Sequence, residues 1–485
     1  VWRPPADNQE VSTPAHRLRR LVVASAIVAV AALLLARPET RPSALLRDFN
    51  AFYCAGAAID RGADAYRAEP LGACERTPRP AAFGQGMANL AMPAPLPPYA
   101  LAPFALLARL PYGPAATLWA LILLAAFTLT VAAMQRLTGL PLPAVIAAFA
   151  LVDGFASIAL GQVAPFAIAA VAFAALLTEQ GRDRAAAWVT AIAMIEPHVG
   201  LPAALALFVW RPQTRLPLAL AGAFCIGLSL ALTGLANNLE YVRAVLPAHA
   251  VSEIVNAKQF SLTYILHRFG LSDASALRAG NLSYLAMLAL GIAVAPIVAR
   301  RSSSSGLIVA FPVAAALFGG PFAHIVQMAA ALPAALLLYA RVPALRSTLG
   351  IAIAMLAVPW VQFSTLGTLF PILAALTTAA IVAYLVDRRP LAVAGAALLS
   401  LLFLVAANGL VTQLVPDPAR LLAAQYDPRA LAEASWGLYV RTVGTWNVAA
   451  FDLARLPTWL GIAAVACAGF ILALRTELHT NLARS

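Results

Sequence analysis

Residues 185–210 read AAAWVTAIAMIEPHVGLPAALALFVW. The run is apolar and long enough to cross a bilayer, which takes about 20 residues. Yet both flanks are basic, with Arg182 and Arg184 before it and Arg211 and Arg215 after it. Basic loops stay on the cytoplasmic side, so a single crossing would strand one arginine pair on the wrong face. Pro197, in Met194-Ile195-Glu196-Pro197-His198, interrupts the run near its middle and breaks a helix there. Two half-helices that dip into the membrane and return satisfy the charge pattern. Their tip carries Glu196 and His198. Ionisable groups at that depth face protein or a wet cavity and are candidates for function; the plainer reading is a buried polar pair that stabilises the break.

The rest of the chain agrees with a membrane setting. Of 485 residues, 62% are hydrophobic and 11% charged, and mean hydropathy is +0.82, which excludes a soluble protein. A net charge of +12 and a pI near 10.1 would point to nucleic acid in a soluble chain. Here cytoplasmic arginines set orientation and meet anionic lipid, so membrane lipids and no nucleic acid are expected as partners.

Residues 1–18 are polar and form a disordered cytoplasmic tail. Arg17, Arg19 and Arg20 precede the apolar run Leu21–Ala36, read as an uncleaved first helix with its N-terminus inside. Later arginines, at 136, 300, 301, 341, 346, 388, 389 and 475, all fall inside if spans lie near 113–135, 141–159, 163–179, 214–233, 279–299, 306–319, 323–340, 346–363, 367–386, 390–413 and 457–474. The expected fold is therefore all-α and polytopic, with about twelve transmembrane helices, a Pro-broken re-entrant pair and both termini cytoplasmic. The core spans 19–413, and 457–485 supplies the last helix and a tail. The long hydrophilic loops, 37–112, 234–278 and 414–456, then share the outer face. That concentration suits an enzyme using lipid-borne substrates there.

The first outer loop opens with RDFNAFYCAGAAIDRGADAY, residues 47–66. On a short helix Asp48 shares a face with Phe52 and lies close to Phe49 and Tyr53, which puts a carboxylate against aromatic rings at headgroup depth. It reads as a general base or, more plainly, as a helix cap. Cys54 and Cys74 share this loop and, outside the cytoplasm, are able to form a disulfide; Cys225 and Cys467 lie in apolar segments. Residues 92–112, rich in proline, read as an interfacial segment, and Gly161-Gln162 as a tight outer turn. The second outer loop carries the sole lysine, Lys258, in Asn256-Ala257-Lys258-Gln259-Phe260-Ser261, followed by His267 and Arg268. Cation, amide and hydroxyl together suit a phosphate, or make an ordinary solvated loop. His324 opens a helix after Gly319-Gly320-Pro321-Phe322, where an anion is favoured. No P-loop, GxGxxG, GxSxG or HExxH motif occurs in the sequence, and no His/Cys cluster argues for a metal.

Taken in order, Asp48-Phe49, Phe52-Tyr53, Ala55-Gly56, Gly62 to Tyr66, Pro97-Pro98-Tyr99, Gly161-Gln162, Glu196-Pro197-His198, Gln259-Phe260-Ser261-Leu262 and His324 resemble the polytopic glycosyltransferases of family 87, alpha-mannosyltransferase-like enzymes of the GT-C class. The resemblance runs from Ala44 to Leu338. It departs at Glu196, where the family more often has lysine, and at Lys258 to Ser261, where it has Asn-Gln-Ser. It implies a GT-C-like fold and a bacterial inner-membrane enzyme with its site facing the periplasm. Such an enzyme moves a mannose-like or other sugar from a polyprenyl-phosphate donor to a lipid-linked or glycan acceptor, with inversion and without cofactor or metal. It implies Asp48 as the general base and His324 and Lys258 as partners of the donor phosphate, with Gln259, Arg268, His198, Glu196, Gln162 and Tyr53 as further substrate-binding candidates. Two other readings stand beside it. One is a transporter or lipid flippase using Glu196 and His198. The other is a scaffold presenting Trp436, Tyr439, Arg441 and Trp446 to a partner.

Overall fold

The structure, a computed structural model, describes residues 46–76, 90–256, 258–363, 369–386, 390–411, 426–444 and 448–482. The expected tail 1–18, the first apolar run Leu21–Ala36, Arg388, Arg389 and Trp446 lie outside the described residues, as do parts of the first and third hydrophilic loops.

Among the described residues every regular element is helical, and the only strand-like pairings are the bridges Arg67 with Leu431 and Gln259 with His324. Four helices among the described residues are long and apolar enough to cross a membrane: Tyr112–Thr138, Pro212–Ser252, Asp273–Arg301 and Asp452–Leu474. Ile325–Arg341 and Pro343–Ala357, bent by 119°, make a fifth if taken as one broken span. Other apolar runs of the sequence fold as shorter helices, among them Ala164–Glu179, Pro197–Trp210 and Leu307–Gly319. At 1.5 Å per residue these cover roughly 20–25 Å, less than a hydrocarbon core of about 30 Å. Proline and glycine set the lengths. Pro165 and Pro197 sit in first turns, and the helix from Leu142 ends at Ala150, before a wide turn over Gly154–Ile158.

The break at Pro197 is present. Helices Asp183–Ala193 and Pro197–Trp210 are separate, and the chain turns so sharply that a Cβ on Gly200 would lie 2.5 Å from the Ala193 carbonyl carbon. A second expected boundary, near residue 234, is a glycine break: Gly234 has φ +73°, and the Asn238 amide donates to its carbonyl (2.7 Å) and to that of Ser229 (3.0 Å).

Alanine-rich helices pack closely enough to bury almost all of Ala164–Glu179 and Leu307–Gly319, which form the main core with Leu332–Arg341 and Arg346–Ala357. A second apolar cluster gathers Arg47–Asp60, Pro98–Leu107 and the first half of Tyr112–Thr138. Cys54 and Cys74 form a disulfide that ties the first of these helices to Ala68–Arg76. Gly56 lets Arg47–Asp60 lie on Pro98–Leu107, because a Cβ there would sit 2.3 Å from the Phe104 carbonyl carbon. Backbone cannot yield as a side chain does, so Gly56→Ala is expected to cost about 1–3 kcal/mol, read as a fall in the thermal midpoint of the purified protein. An unchanged midpoint would mean that the two helices separate freely.

Candidate active site

The Arg47–Asp60 helix begins against the turn at Gly161. The Leu160 carbonyl accepts from the backbone amides of Asp48 (2.8 Å) and Phe49 (3.4 Å). Two first-turn amides that a helix leaves unpaired are thereby met by a neighbouring turn. Gly161 has φ +81°, and a Cβ on it would come within 2.6 Å of Phe49 Cβ, so the approach requires glycine. The Trp119 indole donates to the Gly161 carbonyl at 2.9 Å and fixes the turn from behind. Asp48 is thus released from capping, and its carboxylate accepts instead from the Gln162 side-chain amide. Phe49 stacks with Trp119 and Tyr112, away from the carboxylate.

Opposite, two short extended segments pair. Phe260 donates its amide to the Ala323 carbonyl (2.7 Å), Ile325 to the Lys258 carbonyl (3.1 Å), and the Gln259 side chain accepts from the Ala323 amide (2.6 Å). This pairing places Lys258 beside His324. His324 Nε2 lies 2.7 Å from Glu253 Oε2, and since an ionised carboxylate only accepts, that nitrogen carries the proton. Glu253 also accepts from Asn256 (2.6 Å) and from the Trp436 indole. The His324 amide donates to Gln327 Oε1 (2.7 Å), which turns the Gln327 NH2 toward Glu196 Oε1 at 2.6 Å.

Asp48, Gln162, Glu196, His198, Lys258 and His324 all border one cavity of ≈ 680 Å³. Its remaining wall is largely apolar and includes Met92, Pro93 and Leu96 from the proline-rich stretch, with Leu246 and Val440. Tyr53, Gln259 and Arg268 lie outside it. The Tyr53 hydroxyl donates to the Leu110 carbonyl (2.8 Å), Gln259 is consumed by the paired segments, and Arg268 binds Asp452 (3.1 Å). Each spends its polar group on holding an element that carries a cavity residue.

Burial pushes the Asp48 carboxyl above its ordinary 3.8, against the pull of Lys258, Gln162, Arg47 and His324. Burial pushes the Lys258 ammonium below 10.5, opposed by Asp48. Burial alone would raise Glu253, but the His324 charge and hydrogen bond, helped by His249 and Trp436, hold it at about 2. A carboxylate depressed from 4.5 in the fold stabilises fully above 4.5, and that contribution is lost as pH falls toward 2. The stability gap between wild type and Glu253→Gln is therefore expected to be constant above about pH 5 and to close below it. A gap that widens on acidification would mean that Glu253 is not held as a carboxylate.

Several site residues escaped the sequence reading. His249 and Glu253, four apart, share the face of a short helical stretch, which is a usable signal; Gln327, three after His324, completes a capping box. Buried Arg455, in the last helix, had no such signal.

Helical throughout its described residues, the protein encloses a cavity whose lining is largely apolar but carries charged side chains, which suits a ligand of both characters. Residues 96–322 match the sequence model of glycosyltransferase family 87, which supports a membrane glycosyltransferase. The match covers just under half of the chain; it holds Gln162, Glu196, His198, Glu253 and Lys258 and stops short of Asp48 and His324. No curated protein and no solved structure matches the chain.

Proposed function

We propose that the enzyme transfers a sugar from a polyprenyl-phosphate donor to a hydroxyl of a lipid-linked or glycan acceptor, with inversion and with Asp48 as general base. The observation that carries this is the union, in one cavity, of the Asp48 carboxylate with Lys258 and His324 beside an apolar wall. The acceptor oxygen attacks the anomeric carbon, its proton passes to Asp48, and the bond from that carbon to the phosphate oxygen breaks, releasing polyprenyl phosphate. Lys258 meets the charge that grows on the leaving phosphate, and His324, its Nε2 proton held by Glu253, stands beside it. Gln162 aims Asp48. The apolar wall, with Met92, Leu96 and Leu246, takes the first isoprene units.

The charge pattern supports about twelve spans, a site facing the periplasm of a bacterial inner membrane and cytoplasmic termini, with the shorter apolar helices crossing in combination. Glu196 and His198 open onto the same cavity as Asp48, which favours one enzyme site over a separate transport site. The test is transfer from a panel of radiolabelled polyprenyl-phosphate sugars into lipid extract by the purified protein. Transfer from one of them supports the reading. Transfer from none, where a related enzyme works under the same conditions, moves weight to a transporter using Glu196 and His198.

A further inference from the structure

The cavity has two polar regions, and only the one with Lys258 holds the cation that a phosphate needs. Lys258 serves an anion. Glu196 does not: it is a carboxylate, 8% exposed, and would repel one. Its Oε1 is held by Gln327 at 2.6 Å, and the Gln327 amide cannot flip, because its own oxygen is taken by the His324 amide at 2.7 Å. Glu196 Oε2 has no hydrogen-bond partner among the described residues. Nor do the buried Nδ1 atoms of His198 and His249; His198 Nδ1 lies 3.8 Å from Glu196, beyond hydrogen-bond reach. All three side chains border the cavity around Phe322, whose ring centroid is 5.4 Å from that of His198 and 5.0 Å from that of His249. A fixed acceptor, two unpaired imidazole nitrogens and an aromatic ring offer what a neutral polyol needs: acceptors for adjacent hydroxyls and a flat surface for ring C–H groups.

We propose that Glu196, with His198, His249 and Phe322, is the subsite that reads the hydroxyls of the donor sugar. The inference rests on the polyprenyl-phosphate reading above. The segment pairing Lys258 with Ile325 puts this subsite beside the phosphate partners. A donor sugar, bonded directly to its phosphate, occupies the neighbouring space. Gln327 and Glu196 thus act on specificity, while Asp48 acts on the acceptor proton.

The probes are farnesyl phosphate and farnesyl-phosphate mannose, glucose and galactose, with the 2-, 3-, 4- and 6-deoxy forms of whichever binds tightest. Affinities are measured on the purified full-length protein, with no acceptor present. Wild type is expected to bind at least one deoxy form about 10–100-fold more weakly than its parent. Glu196→Ala is expected to bind parent and deoxy form alike, with affinity for farnesyl phosphate itself unchanged. Glu196→Gln, which keeps an oxygen for Gln327, is expected to fall between them. Equal deoxy penalties in wild type and Glu196→Ala, no penalty in wild type, or loss of farnesyl phosphate binding by Glu196→Ala would each overturn the assignment. A wild type that binds neither farnesyl phosphate nor any of its glycosides overturns the donor reading instead.

Discussion

Asp48→Asn is expected to lower the turnover number by about 10²–10⁴-fold, the range that a positioned general base supplies, with little change in KM for the donor. Asparagine keeps the shape and an oxygen for the Gln162 amide, and the Leu160 carbonyl still receives the first-turn amides of residues 48 and 49. Only the proton acceptor is lost. The pH profile separates this from a loss of fold. Burial holds the Asp48 carboxyl above 3.8, and a base works only when deprotonated, so wild-type kcat/KM should fall as pH drops through a limb above 3.8. Gln162 is among the groups that lower Asp48, so Gln162→Leu should move that limb to higher pH while the alkaline plateau survives. Full activity in Asp48→Asn, or a limb indifferent to Gln162, would leave the reaction without the base proposed here.

Much of this site was legible because membrane insertion makes charge costly. Arginines cannot sit on either side at will, so the flanks of 185–210 alone required a turn at Pro197, and the turn carries Glu196 and His198 into the cavity. Asp48 was legible for the same reason, as an acid among aromatics; that it is not a cap was not, because its helix is capped by the carbonyl of Leu160, more than a hundred residues away. A helix length was misjudged where the apolar run outlasts the helix, as in the expected span 141–159, whose helix from Leu142 ends at Ala150 before the wide turn over Gly154–Ile158. Arg268 looked like a phosphate ligand in a loop of cations, but its partner, Asp452, sits on the final helix, and nothing local announces that pairing.

The same long-range contact makes Arg455 the second position of large effect. Its side chain is fully buried, and it donates to the carbonyls of Gln259 (2.7 Å) and Asn256 (3.1 Å), to the Tyr264 hydroxyl (2.8 Å) and to Asp452 (3.2 Å), with its guanidinium 3.8 Å over the Tyr264 ring. Those two carbonyls flank Lys258. Arg455 is thus a positioning residue: it fixes from behind the segment whose front meets the donor. Arg455→Met leaves two buried carbonyls without their donor, each worth about 1–3 kcal/mol. Asp452, one-third exposed, recovers water and adds less. The expected destabilisation is about 3–5 kcal/mol, as for other buried ion pairs broken on one side. Arg455→Lys separates positioning from folding. A single ammonium cannot span acceptors arranged for a planar fork, so the lysine variant should recover part of the thermal midpoint while KM for the donor stays raised. The pH limb set by Asp48 should not move. A lysine variant with wild-type midpoint and wild-type KM would show that the loop holds Lys258 without the last helix, and the link between residue 455 and donor binding would be lost.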